Sequence, residues 1–247
     1  MGVRPQYHVP GTHDFVFQVD VRVSQEQGFA CKTDMTRYEC VLFDWDGCLA
    51  QTLGIWVDAL RDLLQERGIP LSDQEIVERM LGDWDSPRKV GVQDPDAFLQ
   101  KLLAITSAKL PGVGLYDGAR DMLDSLQRRE KKLAVLTTSR RVDIMTVMKN
   151  VRLENMFDLV LTAEDVTNHK PHPEQIEVAL QQLGFTTKQA LMVGDSHKDL
   201  ESALRSGVDS VLFYPELHKN YYRLSMLQSF RPNYTIRALP ELLPIIG

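Results

Sequence analysis

From Tyr38 onward the chain alternates short apolar runs with longer amphipathic stretches, and this rhythm restricts the fold more than any other feature. "CVLFD" (40–44), "LAVLTTS" (133–139), "FDLVLTAED" (157–165), "ALMVGDS" (190–196) and "SVLFY" (210–214) are bounded by turn formers and read as buried strands. "NYTI" (233–236) supplies a last one. Between them, "GARDMLDSLQRREKK" (118–132) and "HPEQIEVALQQLG" (172–184) carry helical periodicity, the second closed by Gly184 as a helix stop. Strands that alternate with helices pair in parallel, because the crossover is too long for a hairpin. The expected fold class is therefore α/β, a parallel sheet flanked by helices on both faces.

Between Thr52 and Tyr116 there is no strand pattern, only helical ones such as "IWVDALRDLLQERG" (55–68) and "DPDAFLQKLLAITSAKL" (94–110). That interval predicts a small α-helical cap domain at 54–114, inserted into a core formed by 38–53 and 115–247. Residues 1–37 read differently: they are rich in turn formers, with one alternating run at Phe15, Phe17, Val19, Val21 and Val23. They form an N-terminal extension with a strand signal and no evident chemistry, and their role stays open.

Composition narrows the function classes. A chain of 247 residues with 43% hydrophobic content can bury a full core. A formal net charge of -6 repels phosphate backbones and anionic lipid, so neither nucleic acid nor membrane is an expected partner. The three cysteines, Cys31, Cys40 and Cys48, cannot pair evenly and lack metal-ligand spacing. With no membrane-length apolar run and no charged leader before an apolar stretch, a cytoplasmic location is expected. Oligomeric state is not legible.

Ligands of an open parallel sheet sit outside the carboxyl ends of its strands, and the polar residues here gather at those ends. The first strand ends in Asp44 and Asp46, the second in Thr137 and Thr138, and "GDSHKD" adds Asp195 and Asp199. "NHKPHPE" places Lys170 in a turn before a helix. Carboxylates are hard oxygen donors suited to Mg²⁺, and such a site suits a phosphoryl group held between metal and protein. Asp44, an acid ionised at pH 7 without help, can attack phosphorus. Asp46, two residues on, can exchange a proton with the leaving group. Lys170 would neutralise charge, Thr137 would hold a phosphate oxygen, and Asp195 would complete the metal ligands. Asp199 reads equally as a metal ligand or as an acid at a helix start.

Taken in order, Asp44-x-Asp46-Gly47, Thr137, Lys170-Pro171 and Gly194-Asp195-Ser196-x-x-Asp199 resemble the four motifs of the haloacid dehalogenase-like hydrolase superfamily. The resemblance runs from about Tyr38 to the end of the chain. It implies a Rossmann-like core, Mg²⁺ as cofactor, Asp44 as nucleophile and Asp46 as general acid and base, with the Asp46 carbonyl also on the metal. The helical insert resembles the cap of the subgroup holding phosphoglycolate phosphatases and β-phosphoglucomutases. Metal ligands are then Asp44, Asp46, Asp195 and Asp199. The pattern departs at Cys48, Gln51 and Asp117, none of which has a role in this chemistry.

The expected function is a Mg²⁺-dependent phosphatase hydrolysing a small phosphorylated metabolite through a phosphoaspartyl intermediate. The alternatives are a phosphosugar mutase on the same core and a non-catalytic interaction module. "GDWDSPRKVG" (82–91) reads either as a specificity loop, contributing Trp84 and Arg88 with Lys89 to the substrate, or as an ordinary surface loop. Thr138 could share phosphate binding. His169, His172 and His197 read as solvent-facing, Cys48 as a small buried hydrophobe, and Tyr221 and Tyr222 as packing residues.

Overall fold

The computed structural model describes residues 38–247, so the alternating run at Phe15 to Val23 lies outside the described residues. Strand β1 (Cys40–Phe43) leads into helices α1 (Leu53–Gln65), α2 (Asp73–Arg79), α3 (Ser86–Lys89), α4 (Pro95–Lys109) and α5 (Ala119–Arg128). Strands and helices then alternate: β2 (Lys132–Leu136), α6 (Arg141–Asn150), β3 (Leu159–Leu161), α7 (Glu174–Leu183), β4 (Ala190–Gly194) and α8 (His197–Ser206). The chain continues through β5 (Asp209–Phe213), α9 (Leu224–Gln228), β6 (Tyr234–Ile236) and α10 (Leu243–Ile246).

The strands form one parallel sheet in the order β3-β2-β1-β4-β5-β6, the α/β class the sequence predicts. Phe43 pairs with Val135 on one side and Val193 on the other. Most strands stop short of their apolar runs because Asp44, Thr137–Ser139 and Asp195–Ser196 leave the ladder and turn toward the site.

Side chains alternate across the sheet, as a period of two requires. Val41, Phe43, Leu133, Val135, Leu191 and Val193 join one cluster with Met122, Leu123 and Leu126 of α5 and Ile144, Val147 and Met148 of α6. Cys40, Leu42, Ala134, Leu136, Ala190 and Met192 join the opposite cluster, covered by Ile176 and Ala179 of α7 and Ala203 of α8. Each large aliphatic side chain buried there stabilises the fold by about 1.5–3 kcal/mol.

Helices α1, α2 and α4 contribute to a third cluster. Trp56, Leu60, Leu63 and Leu64 recur at helical spacing on α1 and meet Ile76 and Val77 of α2 and Phe98 and Leu102 of α4, together with Leu212, Tyr214 and Tyr222. A capping box between Ser72 and Glu75 starts α2. The Arg67 guanidinium binds Asp94 through Nε and Nη2, at 2.9 and 2.8 Å, while lying over the Phe98 ring. The two chain segments that enter and leave the 54–114 stretch pair with each other: Gln51 donates its N–H to Gly114, and Tyr116 donates to Leu49, both at 3.0 Å. Part of the 82–91 stretch, expected to be turn-rich throughout, is helix α3, where Pro87 sits in the first turn and Ser86 donates to the Met80 carbonyl at 3.2 Å.

Candidate active site

β1 lies at the centre of the sheet with β2 on one side and β4 on the other, so connections depart from it in opposite directions. A crevice opens at the carboxyl ends of strands at such a switch point. Asp44 follows β1 directly, and its N–H donates to the Val193 carbonyl at 2.9 Å. Asp195 follows β4, and Gly47 bends the intervening chain over it with a φ of 84°. A Cβ at position 47 would stand 2.4 Å from Asp195 Oδ2, so backbone and carboxylate approach too closely for any other residue.

Lys170 joins the elements. Its Nζ donates to Asp44 Oδ1 and to Asp199 Oδ1, each at 2.6 Å, and to the Leu136 carbonyl at 2.9 Å. The Lys170–Pro171 peptide is cis. Asp199 stands at the third position of α8 in a capping box with Ser196, whose Oγ donates to Asp199 Oδ2 at 2.5 Å. One oxygen of Asp199 therefore faces Lys170 and the other the helix start, so its carboxylate serves both as a helix cap and as an anchor for the lysine.

Asp44, Asp195 and Asp199 offer carboxylate oxygens within 4.8 Å of one another, all three residues being buried. One ammonium cannot balance three buried carboxylates. Burial, then the Asp199 charge, pushes the Asp44 carboxyl up to about 8 although Lys170 pulls it down, and burial with Asp44 and Asp199 pushes Asp195 well up. The expectation that Asp44 ionises unaided is thus corrected: in this site it needs a counter-charge beyond Lys170. Burial also opposes the charge of Lys170, but Asp199 and Asp44 outweigh it and hold the ammonium above the ordinary lysine range. A surplus of hard, buried oxygen donors fits a divalent cation.

Asp46 is oriented by three donors: Trp56 Nε1 to Oδ1 at 3.0 Å, Ser139 Oγ to Oδ2 at 2.6 Å and Thr137 Oγ1 to Oδ2 at 3.2 Å. The Thr137 hydroxyl also accepts the Ser139 N–H at 3.0 Å, so it faces Asp46 and the backbone here. Trp45, between the two acids, is packed in the core.

Several functional neighbours escaped the sequence reading. Tyr222, expected to be only a packing residue, donates its hydroxyl to Asp195 Oδ2 at 3.0 Å. His218 stands behind it, 3.8 Å from the same oxygen through Nδ1 and 2.8 Å from the Tyr116 hydroxyl through Nε2. Burial pushes that imidazole down to about 3 against the Phe213 backbone. No spacing rule could link these residues to a strand end, since they lie on the segment after β5. His197 is likewise not solvent-facing: it starts α8, lines the cavity and lies 6.1 Å from the Phe230 ring. His169 is half-buried against the Ala163 carbonyl at 3.0 Å, whereas His172 is exposed. Cys48 is buried, and burial holds its thiol well above the ordinary range.

A cavity opens over Asp44, Asp46, Lys170 and Asp195, with Thr138, Ser139 and Lys198 on its polar side. Trp84 reaches this cavity, and its Nε1 donates to the Thr138 carbonyl at 3.0 Å. Gly82, at φ 68°, lies so close that a Cβ would stand 2.9 Å from Thr138 Oγ1. Arg88 corrects the expectation of a substrate contact: it is not among the lining residues, and its exposed guanidinium faces Asp96 at 3.2 Å. Lys198 occupies the cavity instead, donating to the Leu81 carbonyl.

Comparison with known proteins agrees with this arrangement. Residues 41–213 match the family model of the haloacid dehalogenase-like hydrolases. The pyrophosphatase PpaX of Oceanobacillus iheyensis is 27% identical over 214 residues, covering 84% of this chain and 96% of that protein. A PpaX of Bacillus cereus is 31% identical over 132 residues, 53% of this chain and 59% of the other. Among solved structures, a predicted phosphoglycolate phosphatase of Haemophilus somnus superposes with a TM-score of 0.73 at 19% identity, covering 86% of this chain and all of that one (100%). A haloacid dehalogenase-like hydrolase of Streptococcus pneumoniae superposes with a TM-score of 0.71 at 21% identity, over 85% and 99% of the two chains. With the family match spanning β1 to β5 and the acids and lysine converging at one sheet edge, the chain belongs to the haloacid dehalogenase-like hydrolases, as an enzyme of the phosphatase kind.

Proposed function

We propose that the protein is a Mg²⁺-dependent phosphatase that hydrolyses a small phosphorylated metabolite through a phosphoaspartyl intermediate on Asp44. The observation that carries this reading is the Asp44 carboxylate, buried beside Asp195 and bound by Lys170 at 2.6 Å. The relatives named as a pyrophosphatase and a phosphoglycolate phosphatase support the same class of chemistry.

Asp44, Asp195 and the Asp46 carbonyl would hold Mg²⁺, and Asp199 would keep Lys170 in place. When bound there, the cation supplies positive charge that offsets the Asp44 carboxylate and the phosphoryl oxygens. An Asp44 oxygen attacks phosphorus while the bond to the leaving oxygen breaks and Asp46 passes its proton to that oxygen. Water then attacks the phosphorus, Asp46 takes a proton from it, and the bond between Asp44 and phosphorus breaks to free inorganic phosphate. Lys170 neutralises charge throughout, and Thr137 with Ser139 keeps Asp46 oriented. The stretch 54–114 acts as the cap, with Trp84 and Thr138 at its junction with the core.

The reading is tested by phosphate release from a panel of phosphorylated metabolites, with Mg²⁺ and with chelator, beside Asp44→Asn. Release that needs the metal and vanishes in the variant is expected; undiminished release by Asp44→Asn would overturn the mechanism. Isomerised product without free phosphate would establish the mutase.

A further inference from the structure

Two ammonium groups line the cavity, and they differ in how their charge is met. Lys170 is held by two carboxylates, Asp44 and Asp199, each at 2.6 Å. Lys198, half-buried on α8 beside Asp199, donates to the Leu81 carbonyl, and no carboxylate is in ion-pair contact with it among the described residues. Consecutive side chains on a helix point about 100° apart, so Asp199 turns to Lys170 while Lys198 reaches the cavity wall. An ammonium carries three donors, and drawing its charge out of water costs free energy unless an anion meets it. A bond to a carbonyl needs only a neutral donor, so the Leu81 contact leaves the charge of Lys198 unexplained.

The surroundings of Lys198 suit an anion. Asp83 is the acid that lines this side, and its carboxylate already takes Lys89 at 2.7 Å and the Asp85 N–H at 3.0 Å. Opposite stands Gly82, where a Cβ would lie 2.9 Å from Thr138 Oγ1 and 3.7 Å from Lys198 Nζ. The ammonium and the Thr138 hydroxyl therefore stand close together, and the absence of a side chain at 82 leaves them uncrowded. The Trp84 indole bonds the Thr138 carbonyl and not its hydroxyl.

We infer that Lys198, with Thr138, binds a second anionic group of the substrate, a carboxylate or a second phosphate joined by a short body to the phosphate that Asp44 attacks. The body is short because Lys198 adjoins Asp199, whose carboxylate shares Lys170 with Asp44. The inference rests on the phosphatase reading of the same site and names the substrate class that reading leaves open.

The test measures kcat/KM of the wild-type protein with saturating Mg²⁺ on two matched pairs: 3-phosphoglycerate against glycerol 3-phosphate, and propane-1,3-diol bisphosphate against its monophosphate. All four release primary alkoxide-type groups, so a preference within a pair reports the second anion rather than intrinsic reactivity. The member with two anions should lead by about 10-fold or more in at least one pair, the range of one charge-assisted hydrogen bond, and the pair in which it leads tells carboxylate from phosphate. Lys198→Met keeps an unbranched side chain and removes the charge, so it should cut that lead about 10-fold. Equal kcat/KM within both pairs, or a lead that survives Lys198→Met, overturns the inference and leaves the phosphatase reading standing; if the variant fails to fold, the wild-type ratios decide alone. Absence of phosphate release from all four esters and from p-nitrophenyl phosphate overturns the phosphatase reading itself.

Discussion

Replacing Asp44 with Asn should stabilise the metal-free protein while abolishing turnover. Asp44 shares its buried surroundings with Asp195 and Asp199, and burial with the Asp199 charge lifts its carboxyl from the ordinary 3.8 to about 8. The native state then holds a proton that the unfolded chain releases, so stability falls as pH rises from near 4 toward 8. At about 1.4 kcal/mol per pH unit, the penalty at pH 7 is bounded by about 4 kcal/mol. Asn carries no charge to desolvate, but it weakens the bond that Lys170 makes at 2.6 Å, so a net gain of about 1–2 kcal/mol is expected. For a domain of this size that is a rise of about 2–8 °C in the unfolding midpoint. Thermal unfolding in chelator at pH 7.5 reads it directly, and the gap should close at pH 4.5, where both forms are neutral. Added Mg²⁺ should raise the wild type more than the variant, because a ligand that binds only the native state stabilises it in proportion to its affinity. A variant that melts below the wild type in chelator at pH 7.5 would refute the argument that these carboxylates repel one another.

Three further outcomes follow from the same geometry. Tyr222→Phe keeps the packed ring and removes the hydroxyl bound to Asp195 at 3.0 Å, so the Mg²⁺ concentration for half-maximal activity should rise about 10–100-fold; an unchanged midpoint would separate Tyr222 from the metal site. Ser139→Ala removes a donor 2.6 Å from Asp46, a charge-assisted bond worth about 1.5–3 kcal/mol, and kcat should drop about 10-fold or more with circular dichroism unchanged. His218 is held neutral by burial, its imidazole pushed down to about 3, so protonation of the unfolded chain draws stability away as pH falls from about 6.5 toward 3. His218→Gln should therefore show a shallower acid loss between pH 6 and 4, by up to about 1.4 kcal/mol per pH unit in denaturant titrations; parallel curves would show that the histidine is not the group responsible.

Local signals were sufficient wherever a property depends on neighbours in the chain. The apolar run at 40–44 marks β1, Gly184 marks the end of α7, and the Ser196-x-x-Asp199 spacing is a capping box that forms as such. Strand boundaries came out shorter than the apolar runs because Thr137 to Ser139 and Ala163 to Asp165 leave the ladder to bond with side chains and turns. Arg88 reads as a candidate substrate contact because it shares a turn-rich stretch with Trp84 and Lys89; α3 holds its exposed guanidinium against Asp96 instead.

What the sequence by itself determined is the parallel α/β fold and the set of polar residues at the strand ends, because a period of two, helical spacing and the switch-point rule act over short stretches. Only the tertiary structure decided how those residues behave. Trp56 reaches Asp46 from α1, Tyr222 reaches Asp195 from 27 residues away, and Lys170 must serve both Asp44 and Asp199. The elevated Asp44 carboxyl arises from burial and convergence, and burial belongs to the packed chain rather than to any segment of it.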